Sequence, residues 1–197
     1  MFGHDTELSI LTVVDLVNTD PCSGGEEGLP DADSLRTFVT AHHISSVKPS
    51  DYADLNPIYR VRRTFRRVFE STELVEVAAV VNTLLGQAPV SPRLTNHDGY
   101  EWHAHYFSPD ASLADHLAVD GGMALAKVVT AGDTERLRVC EAPDCSAALI
   151  DLSRNRSKRY CDAFTCGNRL HVAAYRERKR QAPQLATSQR APRGGAE

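Results

Sequence analysis

Four cysteines constrain this chain more than any other feature. Cys140, Cys145, Cys161 and Cys166 form two C-x4-C pairs separated by fifteen residues. Each pair can chelate from one tight turn, and together they close a tetrahedron around a single ion. Four thiolates saturate zinc and leave no position for water, so such a site is a scaffold and not a reagent. Below about 40 residues a module rarely holds itself together by apolar burial, and the metal then supplies most of its folding free energy. The expectation is one structural Zn2+ and the unfolding of this module on loss of any ligand. Cys22 stands apart and receives no role. Four cysteines packed into 27 positions do not resemble the dispersed framework of a disulfide-stapled secreted domain.

Charge divides the chain at about the same place. Residues 1–138 carry 11 Lys+Arg against 20 Asp+Glu, whereas residues 139–197 carry 11 against 6, so the halves balance at -9 and +5. An acidic body with a basic appendage seeks phosphates, because local field governs encounter with a polyanion. Between Arg154 and Arg180 stand nine Lys+Arg against Asp162 and Glu177 alone. The expected DNA-binding set is Arg154, Arg156, Lys158, Arg159, Asn168, Arg169, Arg176, Lys179 and Arg180. Arg154 and Arg156 belong to a turn between an Ala147–Asp151 strand and a Lys158–Tyr160 strand. Asn168 caps a helix beginning after Gly167, whose one face is basic while Leu170 and Tyr175 pack on the hairpin. Base readout falls to Arg169 or Arg176.

The acidic part reads as mainly helical. Leu8–Thr19 starts as helix or strand and ends at Asn18, Thr19, Asp20 and Pro21. The glycine-rich stretch Cys22–Pro30 has too little apolar content to pack. Asp33 or Ser34 then caps a helix with Leu35, Phe38 and Val39. A second helix, Pro57–Glu70, has an apolar stripe of Ile58, Val61, Phe65, Val68 and Phe69, and the arginines between Arg60 and Arg67 are read as its solvated face. Further helices are expected at Glu73–Leu85 and Ala111–Val129, with a turn at Gly86–Pro92 and a strand around Tyr100–Phe107 between them. In that strand His103 and His105 point the same way, with His97 nearby, and Asp15, Asn18 and Thr19 form a polar cluster. Asp15, Asn18, His103 and His105 are therefore a candidate effector or second-metal site. No Gly-rich loop of a nucleotide cofactor is present.

The sequences CEAPDC, DLSRNRSKRYC and TCGNR, followed by a basic helix, resemble the bacterial CGNR zinc finger over about 40 residues. Upstream, VVDLVNT, VRRTFRRVFE and ALAKVV followed by RLRVC resemble the stress-induced transcription regulator domain that precedes this finger. The resemblance implies DNA binding by Arg and Asn residues near Cys166. Tyr160 stands where that family commonly has Trp, which keeps an aromatic wedge.

The fold class expected is α+β, with a mainly helical regulator domain over 1–136, a ββα-like zinc finger over 137–181 and a disordered tail over 182–197. The function expected is a zinc-finger DNA-binding transcription regulator and not an enzyme. Its partners are double-stranded DNA, a second copy in a homodimer and a small-molecule effector. Two other readings stay open: a zinc-stabilised protein-interaction or dimerisation module, and a His-based metalloenzyme. Met1–Ser9 lacks the basic start of a secretory signal, and no stretch has the roughly 18 apolar residues of a span, so a cytoplasmic, nucleoid-associated protein is expected.

Overall fold

A computed structural model of the chain describes residues 2–96 and 102–188, the last seven as backbone alone. The order of elements is α1 (His4–Asn18), α2 (Ala32–Ala41), α3 (Asn56–Glu70), α4 (Leu74–Leu85), β1 (Val90–Thr95), β2 (His103–Phe107), α5 (Leu113–Thr130), β3 (Leu137–Val139), β4 (Ala148–Ile150) and α6 (Cys166–Ser188). The ambiguous first segment is helix, because Ile10, Val13, Val14 and Val17 are buried at spacings of three and four. Helix α5 runs through the middle and packs on α1, α3, α4 and β2. Its start is fixed by a capping box in which Ser112 and Asp115 each bond the other's backbone N–H. Helix α2 is capped by Asp31, ahead of the expected Asp33 or Ser34, and Ser34 is its reciprocal partner.

Close approach of the helices depends on Gly121. A Cβ there would lie 2.6 Å from Phe65 Cζ and 2.7 Å from Val13 Cγ2, and Phe65 is fully buried. Gly to Ala normally stabilises a helix interior by about 1 kcal/mol. At this crossing overpacking outweighs that gain, so Gly121→Ala is expected to destabilise the protein by about 1–3 kcal/mol in urea unfolding.

Strand β1 pairs antiparallel with β2, with Thr95 opposite His103 and Arg93 opposite His105. This strand occupies part of the expected Gly86–Pro92 turn. Pro92 cannot donate to a ladder, and the register shifts between Val90 and Arg93, so the proline sits at an irregularity of an edge strand. Strand β4 pairs antiparallel with β3, Leu137 opposite Ile150 and Val139 opposite Ala148. The expected hairpin is thus corrected: β4 finds its partner before Cys140, and Lys158–Tyr160 is not a strand. The ββα order survives. Helix α6 continues to Ser188, through the first seven residues assigned to the tail, and 189–197 lie outside the described residues.

Arg60, Arg63 and Arg67 are exposed, as the solvated-face reading expects, but Arg62 and Arg66 depart from it. Arg62 and Arg66 are 4% and 9% exposed. Arg62 makes a bidentate pair with Glu27 at 2.6 and 2.8 Å, with its Nε 3.2 Å from Asp20 Oδ2. Arg66 donates to the Val17 carbonyl, the Ser23 hydroxyl and the Ser146 carbonyl. These cations meet the C-terminal end of α1, where the helix dipole favours them. They also hold down the glycine-rich stretch, which packs after all: Leu29 is buried in the main core.

Candidate metal centre and nucleic-acid surface

The four cysteine sulfurs all lie within 4.8 Å of one another. Cys145 Sγ is 3.7 Å from Cys161 Sγ, which is 3.6 Å from Cys166 Sγ. Thiolates about 2.3 Å from a tetrahedral zinc stand about 3.8 Å apart, so the cluster already has the edge lengths of a zinc site. Burial, followed by the neighbouring cysteines, pushes the Cys145 thiol up to about 12. N–H donors aim at the sulfurs, as expected around bound thiolates: Cys161 N donates to Cys140 Sγ and Arg169 Nη2 to Cys166 Sγ, both at 3.3 Å. The residues fit one structural zinc.

Several contacts tie this centre to the helical body. Leu137, Ala148 and Ile150 from β3 and β4 belong to the main core, while Leu149 faces the cysteines. The Asn18 side chain pairs with the Ala148 backbone in both directions, donating at 2.9 Å and accepting at 2.8 Å. Gly24 adopts φ +104°, a conformation side chains rarely take, and sits against the Asp144 carbonyl of the first cysteine turn. Asn18 is therefore a structural bracket, and it does not line the effector cleft expected for it.

The basic residues divide into two groups. Arg169 is bound by Asp144 at 2.8 and 2.9 Å, linking the start of α6 to the first cysteine turn. Arg156 pairs with Asp133 and Glu135, Lys158 with Asp162, and Arg159 with Glu141. Among the described residues Arg154, Arg176, Arg178 and Lys179 hold no ion pair, and Arg180 has only Glu177 at 3.6 Å. Helix α6 begins at Cys166, so Asn168 lies exposed inside the first turn and is not the cap expected. Leu170 packs beside the cysteines, but Tyr175 is 60% exposed and does not join it. From His171 to Gln181 every residue is exposed, so the helix stands away from the body.

Comparison with known families matches residues 136–179 to the CGNR zinc finger. Residues 12–132, more than half of the chain, match ABATE, described as "putative stress-induced transcription regulator". The chain belongs to the ABATE family. A comparison with curated proteins finds no match. The two matched segments follow one another in the order regulator domain, then finger, and the four cysteines just described all lie within the second. Among the described residues no helix is long and apolar enough to cross a membrane.

Within the ABATE domain the structure brings His103 and His105 together, their Nε2 atoms 3.1 Å apart. They line a cleft of about 140 Å3 between α1, β2 and α5. His116 and Asp120 from α5 line it as well, and sequence reasoning missed both. Their signal was present, since a His and an Asp four apart share one face of a helix. Burial alone would raise the Asp120 carboxyl, but hydrogen bonds from His105 and His116 and from the Tyr106 N–H outweigh it and hold the group down at about 2. Asp15 does not reach the cleft. It is half exposed, with its carboxylate 3.6 Å from His42 Nε2. His97 lies outside the described residues.

Proposed function

We propose that this zinc-binding regulator grips duplex DNA through the projecting part of α6 and the Arg154 turn. The exposed cations of α6 carry this reading. Arg176, Lys179 and Arg180 recur at helical spacing and so share a face, on a helix exposed on every side beyond Leu170. Charge of this kind, held near a groove, positions a protein on phosphates before any base is read. Arg154 adds a cation from a second element. Arg169 acts by positioning the helix through Asp144, and base readout then rests with Arg176. Lys158 and Arg159 would exchange solvent-accessible ion pairs for phosphate, an exchange that costs little because such pairs contribute about 0–1 kcal/mol each, whereas Arg156 would have to leave Asp133, which is only 15% exposed. The protein acts as a cytoplasmic regulator and not as an enzyme.

A salt series of fluorescence anisotropy on a generic duplex tests this. Wild type is expected to weaken linearly on a log-log plot. Arg176→Glu, Lys179→Glu, Arg180→Glu together are expected to abolish binding or to reduce the salt slope by about 3, one per lost phosphate contact. Equal affinity and slope in the two proteins would refute the assignment. One observation favours a second reading: Val172 and Tyr175, 47% and 60% exposed, form an apolar pair at a spacing of three on the same helix. Zinc-dependent self-association without duplex affinity would select that reading.

A further inference from the structure

We propose that the ABATE cleft contains a second metal site, in which His105, His116 and Asp120 bind one divalent transition ion of the zinc and cobalt class. Three donors converge there from two elements. His116 and Asp120 stand one turn apart on α5, and His105 points at them from β2. Asp120 Oδ2 is 3.2 Å from His116 Nε2 and 3.4 Å from His105 Nδ1. Nitrogen and oxygen ligands about 2.0–2.1 Å from a tetrahedral ion are separated by about 3.3–3.4 Å. Both edges therefore have the spacing of a coordination tetrahedron, and all three donor atoms lie within 4.8 Å of one another.

The surroundings orient these groups as metal ligands are oriented. The other carboxylate oxygen, Oδ1, accepts the Tyr106 N–H at 3.0 Å, which leaves Oδ2 directed at the two imidazoles. His116 is stacked on Phe107 with ring centroids 3.6 Å apart, and both histidines are buried. Imidazole and carboxylate form a harder donor set than four thiolates, suited to zinc, cobalt or nickel. The site also differs from the finger in saturation. Three protein ligands leave a coordination position open, and all three line the cleft, so a water or a small anionic Lewis base can complete the shell. A site of that kind binds exogenous ligands, whereas the finger serves only as a scaffold.

The test uses the full chain with its finger loaded with one zinc. Titration with Co2+ alone is followed by calorimetry and visible absorption, beside the conservative variants Asp120→Asn and His116→Gln. Wild type is expected to take up one Co2+ with weak d–d bands and no thiolate-to-cobalt charge transfer, and its Tm is expected to rise with Co2+ concentration. Each variant is expected to keep its zinc and bind Co2+ about a hundredfold more weakly or worse. Absence of a second equivalent in wild type would overturn the proposal, whether or not the variants fold. So would equal uptake by the variants, which indicates surface histidines, or a charge-transfer band, which indicates exchange into the finger.

Discussion

Replacing Cys161 with serine is expected to release the zinc and to lower the Tm of the whole protein, not of the finger alone. Apparent binding free energies of structural zinc in small modules are about 10–16 kcal/mol, as large as the entire stability of an ordinary domain. Cys161 is 3% exposed and its sulfur contacts those of both Cys145 and Cys166, so serine leaves a broken tetrahedron with no means of relaxing. The loss spreads because Leu137, Ala148 and Ile150 are shared with the helical core, and Asn18 and Arg66 are bonded to the Ala148 and Ser146 backbone. Native mass spectrometry should find no zinc in the variant, and a chelator should depress the Tm of wild type but not that of Cys161→Ser. An unchanged melting curve in zinc-free protein would mean that the finger folds apart from the body.

Arg62→Met is expected to cost about 3 kcal/mol in denaturant unfolding, because removing one partner leaves buried charge uncompensated. Asp20 and Glu27 would lose the cation that both now face, and methionine fills the volume without replacing it. The variant should also change the response to acid. The hydrogen bond from Arg62 holds the Glu27 carboxyl below its usual range. For Asp20, burial acts upward but is outweighed by the Cys22 N–H and by Arg62. Groups with depressed folded-state pKa values stabilise the protein above the ordinary carboxylate pKa, and the unfolded chain takes up their protons first on acidification. Wild-type stability should therefore fall as pH drops below about 4.5, and that fall should be shallower in Arg62→Met. Parallel pH profiles would show that the ion pairs contribute nothing specific.

Most of the helices and the zinc ligands were legible because they rest on local signals: apolar residues at spacings of three and four, caps, and paired cysteines. The errors fell where tertiary contacts decide. The arginines of α3 were read as one class, although at about 100° per residue Arg62 lies about 20° beyond Phe69 at the edge of the apolar arc and Arg66 about 60° beyond it, while Arg60, Arg63 and Arg67 lie about 80–120° outside it. That distinction was available in the sequence. Their acidic partners were not, since Asp20 and Glu27 sit in a stretch whose glycines suggested a loose loop. Strand β1 was hidden by Pro92. The partner of β4 could not be read from spacing, because residues on either side of the cysteine pairs offered equal strand potential. The cleft histidines were seen only in part: alternation on β2 gave His103 and His105, but the contact of β2 with α5 that adds His116 and Asp120 is non-local.

Zinc-dependent duplex binding tests the central claim most directly, that one metal ion organises a DNA-contacting surface. Anisotropy of the intact protein on a generic duplex would be measured with zinc bound, after its removal by a chelator, and after zinc is restored. The expected result is salt-sensitive binding that disappears with the metal and returns with it. Failure of the zinc-loaded protein to bind at low salt, or equal affinity of the zinc-free protein, would contradict it.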